Sequence, residues 1–280
     1  KLCAAVKAEG LESICEIRVS AGKNCFIIKN GIIRDTEICV SQTDIARTAD
    51  ALCRGSLYAA QHSMVKGYIT VSGGHRVGIC GRAVTEDGRI THIADISAMC
   101  IRISRAVLGC ADKIVPHLSD SGIPRSALIV SPPGCGKTTI LRDAARQLGK
   151  RFKICIVDER SEIAASNGGI PSHDVGIMTC VMDAMPKSEG ISIAVRTMSP
   201  QIIITDETGS AAEEEAIYQL INCGAKIITT AHGYDERDVM RRPFLGKLIK
   251  DGIFERIIVL SCSRGIGTVE KIISDGRVVP

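Results

Sequence analysis

The sequence predicts an α/β protein: a core built on a mainly parallel sheet, preceded by a small α+β domain. Three observations carry this. From residue 126 onward, continuous apolar runs at 127–130, 153–157, 201–205, 226–230 and 256–260 alternate with helical stretches. Continuous runs, as opposed to alternating ones, mark strands buried on both faces of a parallel sheet. Residues 11–105 instead hold short strand-like segments cut by turns. Finally, Ala127-Leu128-Ile129-Val130-Ser131 leads directly into a turn rich in Gly and Pro and then into a helical pattern. A chain of 280 residues has room for two domains. The expected organisation is an N-terminal α+β domain over 1–108, a linker with helical character over 109–125, and the core domain over 126–280.

Taken in order, Ile14–Val19 and Cys25–Lys29 read as strands, with Asn30-Gly31 a hairpin signal before Ile32-Ile33-Arg34. Thr43–Arg54 carries a helical pattern, with Ser41 or Thr43 as N-cap and Asp44 in the first turn. Gly67–Val71, His75–Gly81 and Arg89–Ala94 read as strands separated by Ser72-Gly73-Gly74 and Glu86-Asp87-Gly88, and the region closes with Ala98–Ser104. Gly109–Pro124 is helix-compatible and ends in a Ser-Asp-Ser-Gly-Ile-Pro turn. Ile140–Leu148 is helix-forming, and 266–279 is a final hairpin turning at Ser274-Asp275-Gly276. No internal repeat is evident.

Composition narrows the class. Apolar residues make up 45% and charged residues 24%, ordinary values for a globular protein, while aromatics are only 3%. The core must therefore be aliphatic. A net charge of +4 is too small and too dispersed to argue for nucleic acid. The basic cluster Arg241-Arg242 with Lys247 and Lys250 reads as a solvated helix face. Thirteen cysteines are scattered singly, with no C-x-x-C and no metal-ligand spacing to a His. Many sit in apolar runs, so reduced thiols are expected over a disulfide framework. No run reaches about 18 apolar residues, so any membrane association is expected to be peripheral or through partners.

The stretch Ser131-Pro132-Pro133-Gly134-Cys135-Gly136-Lys137-Thr138-Thr139 is a phosphate loop. Its turn lets backbone N–H groups converge on a β-phosphate. Lys137 places an ammonium between the β- and γ-phosphates, and the Thr138 hydroxyl can ligate Mg²⁺. The helix that follows points its positive dipole end at the same anion. The pattern G-x-x-x-x-G-K-[ST] wants Gly at position 131, where this chain has Ser131; the phosphate-contacting half is complete.

Three polar groups close the core strands, where α/β proteins place their sites. Ile154–Val157 ends in Asp158-Glu159-Arg160-Ser161-Glu162, Gln201–Thr205 in Asp206-Glu207, and Lys226–Thr230 in Ala231-His232-Gly233. Asp206-Glu207 has the form of a Walker B strand, with Asp206 on Mg²⁺ and Glu207 on the attacking water. His232 can sense the γ-phosphate. Each group has a plainer reading alone: helix capping for the acidic pairs, a hydrogen-bonded loop residue for His232. The phosphate loop and three strand ends in this order outweigh them. An extra strand between phosphate loop and Walker B marks the RecA-like (ASCE) branch of P-loop NTPases. No guanine-reading Asn/Thr-Lys-x-Asp occurs, which favours ATP.

These motifs resemble the ATPases of type II and type IV secretion and pilus motors, which carry Walker A, an Asp box, Walker B and a His box in this order. The middle of 158–162 departs from the usual Asp box, and Arg196-Thr197-Met198-Ser199-Pro200 is an imperfect counterpart of the family's segment before Walker B. A narrower resemblance, covering nearly the whole chain, is to the stage III sporulation protein AA family of endospore-forming Firmicutes. It rests on Glu16–Val19, Gly73–Gly78, Val157–Ala164, Val181–Ala184 with Pro186-Lys187, Met198–Pro200, Ala231–Gly233, Arg241–Pro243 and Ser263–Gly265.

The resemblance implies an ATPase, a ring homo-oligomer with six subunits, acting on the secretion-like channel between mother cell and forespore. It would lie in the mother-cell cytoplasm, held at the inner face of the membrane by channel components, with no direct nucleic-acid partner. It also implies an Arg, from the N-terminal domain or a neighbouring subunit, at the transition-state charge; Arg76, Arg82, Arg102 and Arg105 are the candidates and Arg76 is preferred. Each reads otherwise as a surface ion-pair residue, and His75 as structural. The general base is Glu159 or Glu207, with the lean to Glu159. Two rival functions stay open: a RecA-like nucleic-acid translocase and a nucleotide-binding scaffold that does not hydrolyse.

Overall fold

The computed structural model describes residues 6–7, 10, 13–29, 31–53, 67–71, 73–166, 168–274 and 276–279. Contacts divide the chain into two units, Lys1–Ser104 and Arg105–Pro280. Asn30, Arg54, Ser72 and Asp275, which the sequence placed in turns or at a helix end, lie outside the described residues.

In the first unit, β1 (Ile14–Ser20), β2 (Asn24–Lys29), β3 (Ile32–Cys39), β4 (Tyr68–Val71), β5 (His75–Glu86) and β6 (Arg89–Arg102) form an antiparallel sheet ordered β3-β2-β1-β6-β5-β4. Helix α1 (Gln42–Leu52) begins at Ser41, whose hydroxyl accepts from Asp44 N while Asp44 accepts from Ser41 N. This reciprocal cap selects Ser41 over Thr43 as the start. Ile45 and Ala49 of α1 are buried with Val19, Cys25, Val77 and Met99. Strands β5 and β6 run longer than expected: the segments read as ending at Gly81 and Ala94 continue across bulges, near Cys80/Arg82 and Val84/Thr85.

Residues 109–125, expected as a linker with helical character, contain no α-helix. They make a 3₁₀ turn at Val115–His117 and a short hairpin of β7 (Ser119–Asp120) and β8 (Ile123–Pro124). Ala111, Ile114 and Leu118 are fully buried in the core of the second unit. Pro116 and the turn residues stop a helix, and burial holds the segment instead.

The second unit is built on β9 (Ala127–Ser131), α2 (Lys137–Leu148), β10 (Ile154–Asp158), β11 (Thr179–Asp183), α3 (Lys187–Met198), β12 (Ile202–Thr205), α4 (Ala211–Asn222), β13 (Lys226–His232), α5 (Glu236–Met240), α6 (Pro243–Lys250), β14 (Arg256–Ser261), β15 (Thr268–Ser274) and β16 (Arg277–Val279). Its sheet runs β11-β10-β12-β13-β9-β14-β15-β16, parallel from β11 to β14 and antiparallel beyond. Both faces are covered, as continuous apolar strands require. Ile129, Ile156, Ile204 and Ile258 pack toward α2; Leu128, Val157, Ile203 and Ile227 pack with residues of α3, α4 and α6. β13 lies between β9 and β12, so the phosphate loop and the Walker B strand flank the strand that ends in His232. The fold is a RecA-like P-loop core with a mainly parallel sheet, joined in sequence to a small N-terminal sheet domain.

Candidate nucleotide site

The loop between β9 and α2 needs two residues in left-handed backbone, and the chain supplies Gly134 (φ 76°) and Gly136 (φ 85°). Gly136 caps α2 without any side-chain hydrogen bond, leaving the first-turn N–H groups without intrahelical partners. Thr138 and Thr139 lie half-buried on that first turn, and Pro132 and Pro133 bridge it to the strand. Ser131 occupies the position where the pattern wants Gly. It ends β9 in register with His232 and has no positive φ, so nothing in its backbone demands glycine. Its hydroxyl donates to Pro132 O (2.9 Å) and lies 3.4 Å from Lys137 Nζ.

Lys137 is buried and folded back over the loop. Its Nζ donates to Ser131 O (3.1 Å) and Pro132 O (3.2 Å) and meets His232 Nδ1 at 2.9 Å. Burial lowers its pKa, while the charges of Glu207 and Cys135 oppose the shift. His232 Nε2 in turn meets Glu207 Oε1 at 2.8 Å, and Arg160 faces the other Glu207 oxygen at 3.5 Å. The His232 tautomer with its proton on Nε2 serves both contacts, accepting from Lys137 and donating to Glu207. A continuous polar chain thus joins the phosphate-loop lysine to the Walker B carboxylate.

Glu207 sits in strained backbone at φ 30°. Its N–H donates to Thr230 Oγ1 (3.0 Å) and its carbonyl accepts from Lys187 Nζ (2.8 Å). Lys187, at the start of α3, is only 5% exposed, and also faces Asp206 Oδ1 at 3.4 Å and Glu159 Oε2 at 3.8 Å. Two carboxylates and the Glu207 carbonyl therefore converge on one buried ammonium, a convergence the sequence reading missed. Lys187 follows a proline at a helix start, and nothing local marks it as buried.

Asp158 is fully buried and plays a different part from its neighbour. Its carboxylate accepts from the N–H groups of Glu162, Ile163 and Ala164, each at 2.9 Å. Burial pushes its pKa up to about 6; the nearby charges of Asp206 and Asp183 add to that, and the backbone donors oppose it. Arg142 of α2, buried, clamps the same loop by donating to Ile163 O (2.6 Å) and Glu162 O (2.7 Å). Sequence reading missed Arg142 as well. Asp158 and Arg142 fix the segment that presents Glu159, whose side chain is 39% exposed.

The surroundings of the Walker B aspartate bear on whether it suits a Mg²⁺ ion. Asp206 is 3% exposed, and its Oδ1 receives no hydrogen bond, facing Lys187 only as an ion pair. A buried carboxylate oxygen without a donor suits a hard divalent cation or its water. Among the described residues no three His, Cys, Asp or Glu side chains gather into a metal cage. The donors present fit Mg²⁺, which commonly takes one or two carboxylates plus substrate phosphates and water.

Of the other sequence candidates, Arg76, Arg82, Arg102 and His75 lie in the first unit. Arg76 stacks over the Tyr68 ring at 3.8 Å, Arg82 pairs with Asp95 at 2.8 Å and Arg102 with Glu16 at 3.5 Å. His75 Nδ1 accepts from Ser104 N at 3.1 Å. Arg105 belongs to the second unit, and its carbonyl accepts from Arg142 at 2.6 Å.

Residues 4–279 match the family described as "Sporulation stage III, protein AA". The chain belongs to that family. Stage III sporulation protein AA of Bacillus subtilis (strain 168) is 38% identical over 271 residues, covering 94% of this chain and 88% of the Bacillus protein. An uncharacterized protein ycf45 from Porphyra purpurea is 30% identical over 219 residues, 74% of this chain and 38% of its own length. Among solved structures, the ATPase DotB of Yersinia pseudotuberculosis gives a TM-score of 0.65 at 16% identity, covering 98% of this chain and 78% of that one. The pilus retraction motor PilT, with bound ADP, gives 0.62 at 16% identity over 91% and 76%. At that identity the likeness is one of fold. Among the described residues no helix is long and apolar enough to cross a membrane.

Proposed function

We propose that this sporulation-family protein is a Mg²⁺-dependent ATPase that hydrolyses ATP to ADP and phosphate and works as a ring of its own copies, with six subunits, on a secretion-like channel. The Lys137–His232–Glu207 chain carries this reading, because it couples the group that binds phosphate to the group that can activate water. Loop residues Ser131 through Thr139 cradle the phosphates, and Thr138 and Asp206 would hold the metal. When bound, Mg²⁺ supplies charge neutralisation at the β- and γ-phosphates.

An ammonium has three hydrogens, and in this structure Ser131 O, Pro132 O and His232 Nδ1 are its nearest acceptors, with Ser131 Oγ further off at 3.4 Å. A γ-phosphate that draws on Lys137 competes with His232, so phosphate arrival and loss are felt at Glu207 through one histidine. Glu207 is the carboxylate we place on the attacking water. Glu159 is the second reading, since it is partly open to solvent and ranged on the same Lys187. The trans-acting arginine, Arg76 in preference, belongs to the same proposal. So do the membrane components of the channel as partners, a cytoplasmic place beside the membrane and the absence of direct nucleic-acid binding.

A phosphate-release assay on the purified chain, at concentrations where mass measurement shows assembly, tests this. Lys137→Ala should abolish turnover with the fold intact. Of Glu207→Gln and Glu159→Gln, the first should lose about 10²-fold or more in kcat while still binding nucleotide. Undiminished release from Lys137→Ala would sink the ATPase reading. A larger loss in Glu159→Gln would transfer the base to that residue. Nucleotide binding without any release by the assembled wild type would favour a scaffold, and release stimulated by DNA or RNA a translocase.

A further inference from the structure

Cysteine 135 stands inside the phosphate loop between its two left-handed glycines and is 4% exposed. Its Sγ lies 2.9 Å from Sγ of Cys262, which is exposed and 127 residues away in sequence. Both are free thiols. The sheet explains the meeting: β14 runs parallel to β9 with Val259 opposite Val130, so the segments leaving the two strands emerge side by side.

The segment after β14 is anchored rather than loose. Ser263 donates to Glu270 Oε1 at 2.5 Å, Ser261 donates to the same oxygen, and Ser263 N donates to Ser261 Oγ at 3.0 Å. It also presses on the phosphate loop: a methyl group placed on Gly136 would come within 2.9 Å of Ile266 Cγ2. Cys262 is thus held over the turn whose backbone must receive the phosphates.

We propose that Cys135 and Cys262 form a redox modification site, oxidised by a small-molecule disulfide to an internal disulfide that locks the phosphate loop and shuts off nucleotide binding. The chemistry balances in two exchanges. The exposed Cys262 thiolate attacks one sulfur of the small disulfide, forming a mixed disulfide and expelling one thiolate. The Cys135 thiolate then attacks Cys262 Sγ, forming the internal bond and expelling the second. Two protein thiols become one disulfide, the reagent becomes two thiols, and two protons pass from the protein to the leaving thiolates. Cys135 is the slower partner, since burial pushes its thiol pKa up and the Cys262 sulfur adds to the shift, against the opposing charge of Lys137. Bond formation draws the sulfurs from 2.9 Å to about 2.05 Å, and the movement falls on the turn at Gly134–Gly136. The regulatory half of this inference rests on the nucleotide-binding reading above.

The test uses the purified chain and oxidised glutathione. Peptide mapping without reductant should find the Cys135 peptide joined to the Cys262 peptide. Affinity for a fluorescent ATP analogue should fall about tenfold or more and return on adding dithiothreitol. Cys262→Ser should bind the analogue like the reduced wild type and keep that affinity after oxidation. Cys135 found joined to another cysteine, or left as a glutathione adduct, overturns the site. A Cys135–Cys262 link with unchanged affinity overturns the switch. A reduced protein that binds no analogue overturns the nucleotide reading itself, and the linked peptide then decides the dithiol site alone.

Discussion

Lys137 Nζ lies 2.9 Å from His232 Nδ1, so the phosphate-loop lysine and the histidine at the end of the neighbouring strand share one hydrogen bond. The register of β13 on β9, with His232 opposite Ser131, places them together. Because His232 also meets Glu207, a change at the lysine reaches the Walker B carboxylate in two contacts.

Replacing His232 by Ala breaks that chain but leaves Lys137 its two carbonyl acceptors. Affinity for a fluorescent ATP analogue should stay within about threefold while kcat for phosphate release falls about 10²-fold. Equal losses in both would assign His232 to nucleotide binding rather than coupling.

Lys187 offers a stability experiment. Lys187→Met leaves Asp206 buried without its cation, and breaking a buried pair on one side costs about 3–5 kcal/mol. Urea unfolding should show a lower midpoint of that order, with Lys187→Arg recovering part of it. A loss under about 0.5 kcal/mol would mean that Asp206 is otherwise compensated.

Asp158 predicts a pH dependence. Its folded-state pKa, about 6, exceeds the unfolded value near 3.8, so the folded chain holds this proton more tightly. Stability from this group is therefore greatest below the unfolded value, falls as pH rises through the window, and is flat above it. Relative to Asp158→Asn, wild-type stability should drop by about 1 kcal/mol from about pH 5 to about pH 7. The Asn variant should itself be weaker throughout, because an amide NH₂ would face one of the three backbone donors, at a cost of about 1–3 kcal/mol. A difference between the two proteins that rises with pH would reverse the reading of the carboxylate's environment.

The parallel strands of the core were legible because each is buried on both faces, which writes an unbroken apolar run. β11 escaped notice because Thr179–Asp183 pairs only at the sheet edge and is mostly half-buried, so its sequence stays mixed. Residues 109–125 were misread for a related reason: Ala111, Ile114 and Leu118 have helical spacing, yet their burial serves a turn packed on the core. The phosphate loop, Glu159, Asp206, Glu207 and His232 could be marked as strand-end residues, since a short motif fixes local backbone.

Sequence by itself determined the phosphate loop, the strands that carry the acidic and histidine groups, and the family, because these depend on local pattern and order along the chain. Tertiary structure alone decided that Lys137 reaches His232, that Lys187 sits buried beside Asp206, and that Cys135 touches Cys262. Those contacts depend on strand order and register across long loops, and no local residue pattern encodes which distant strand end will stand opposite.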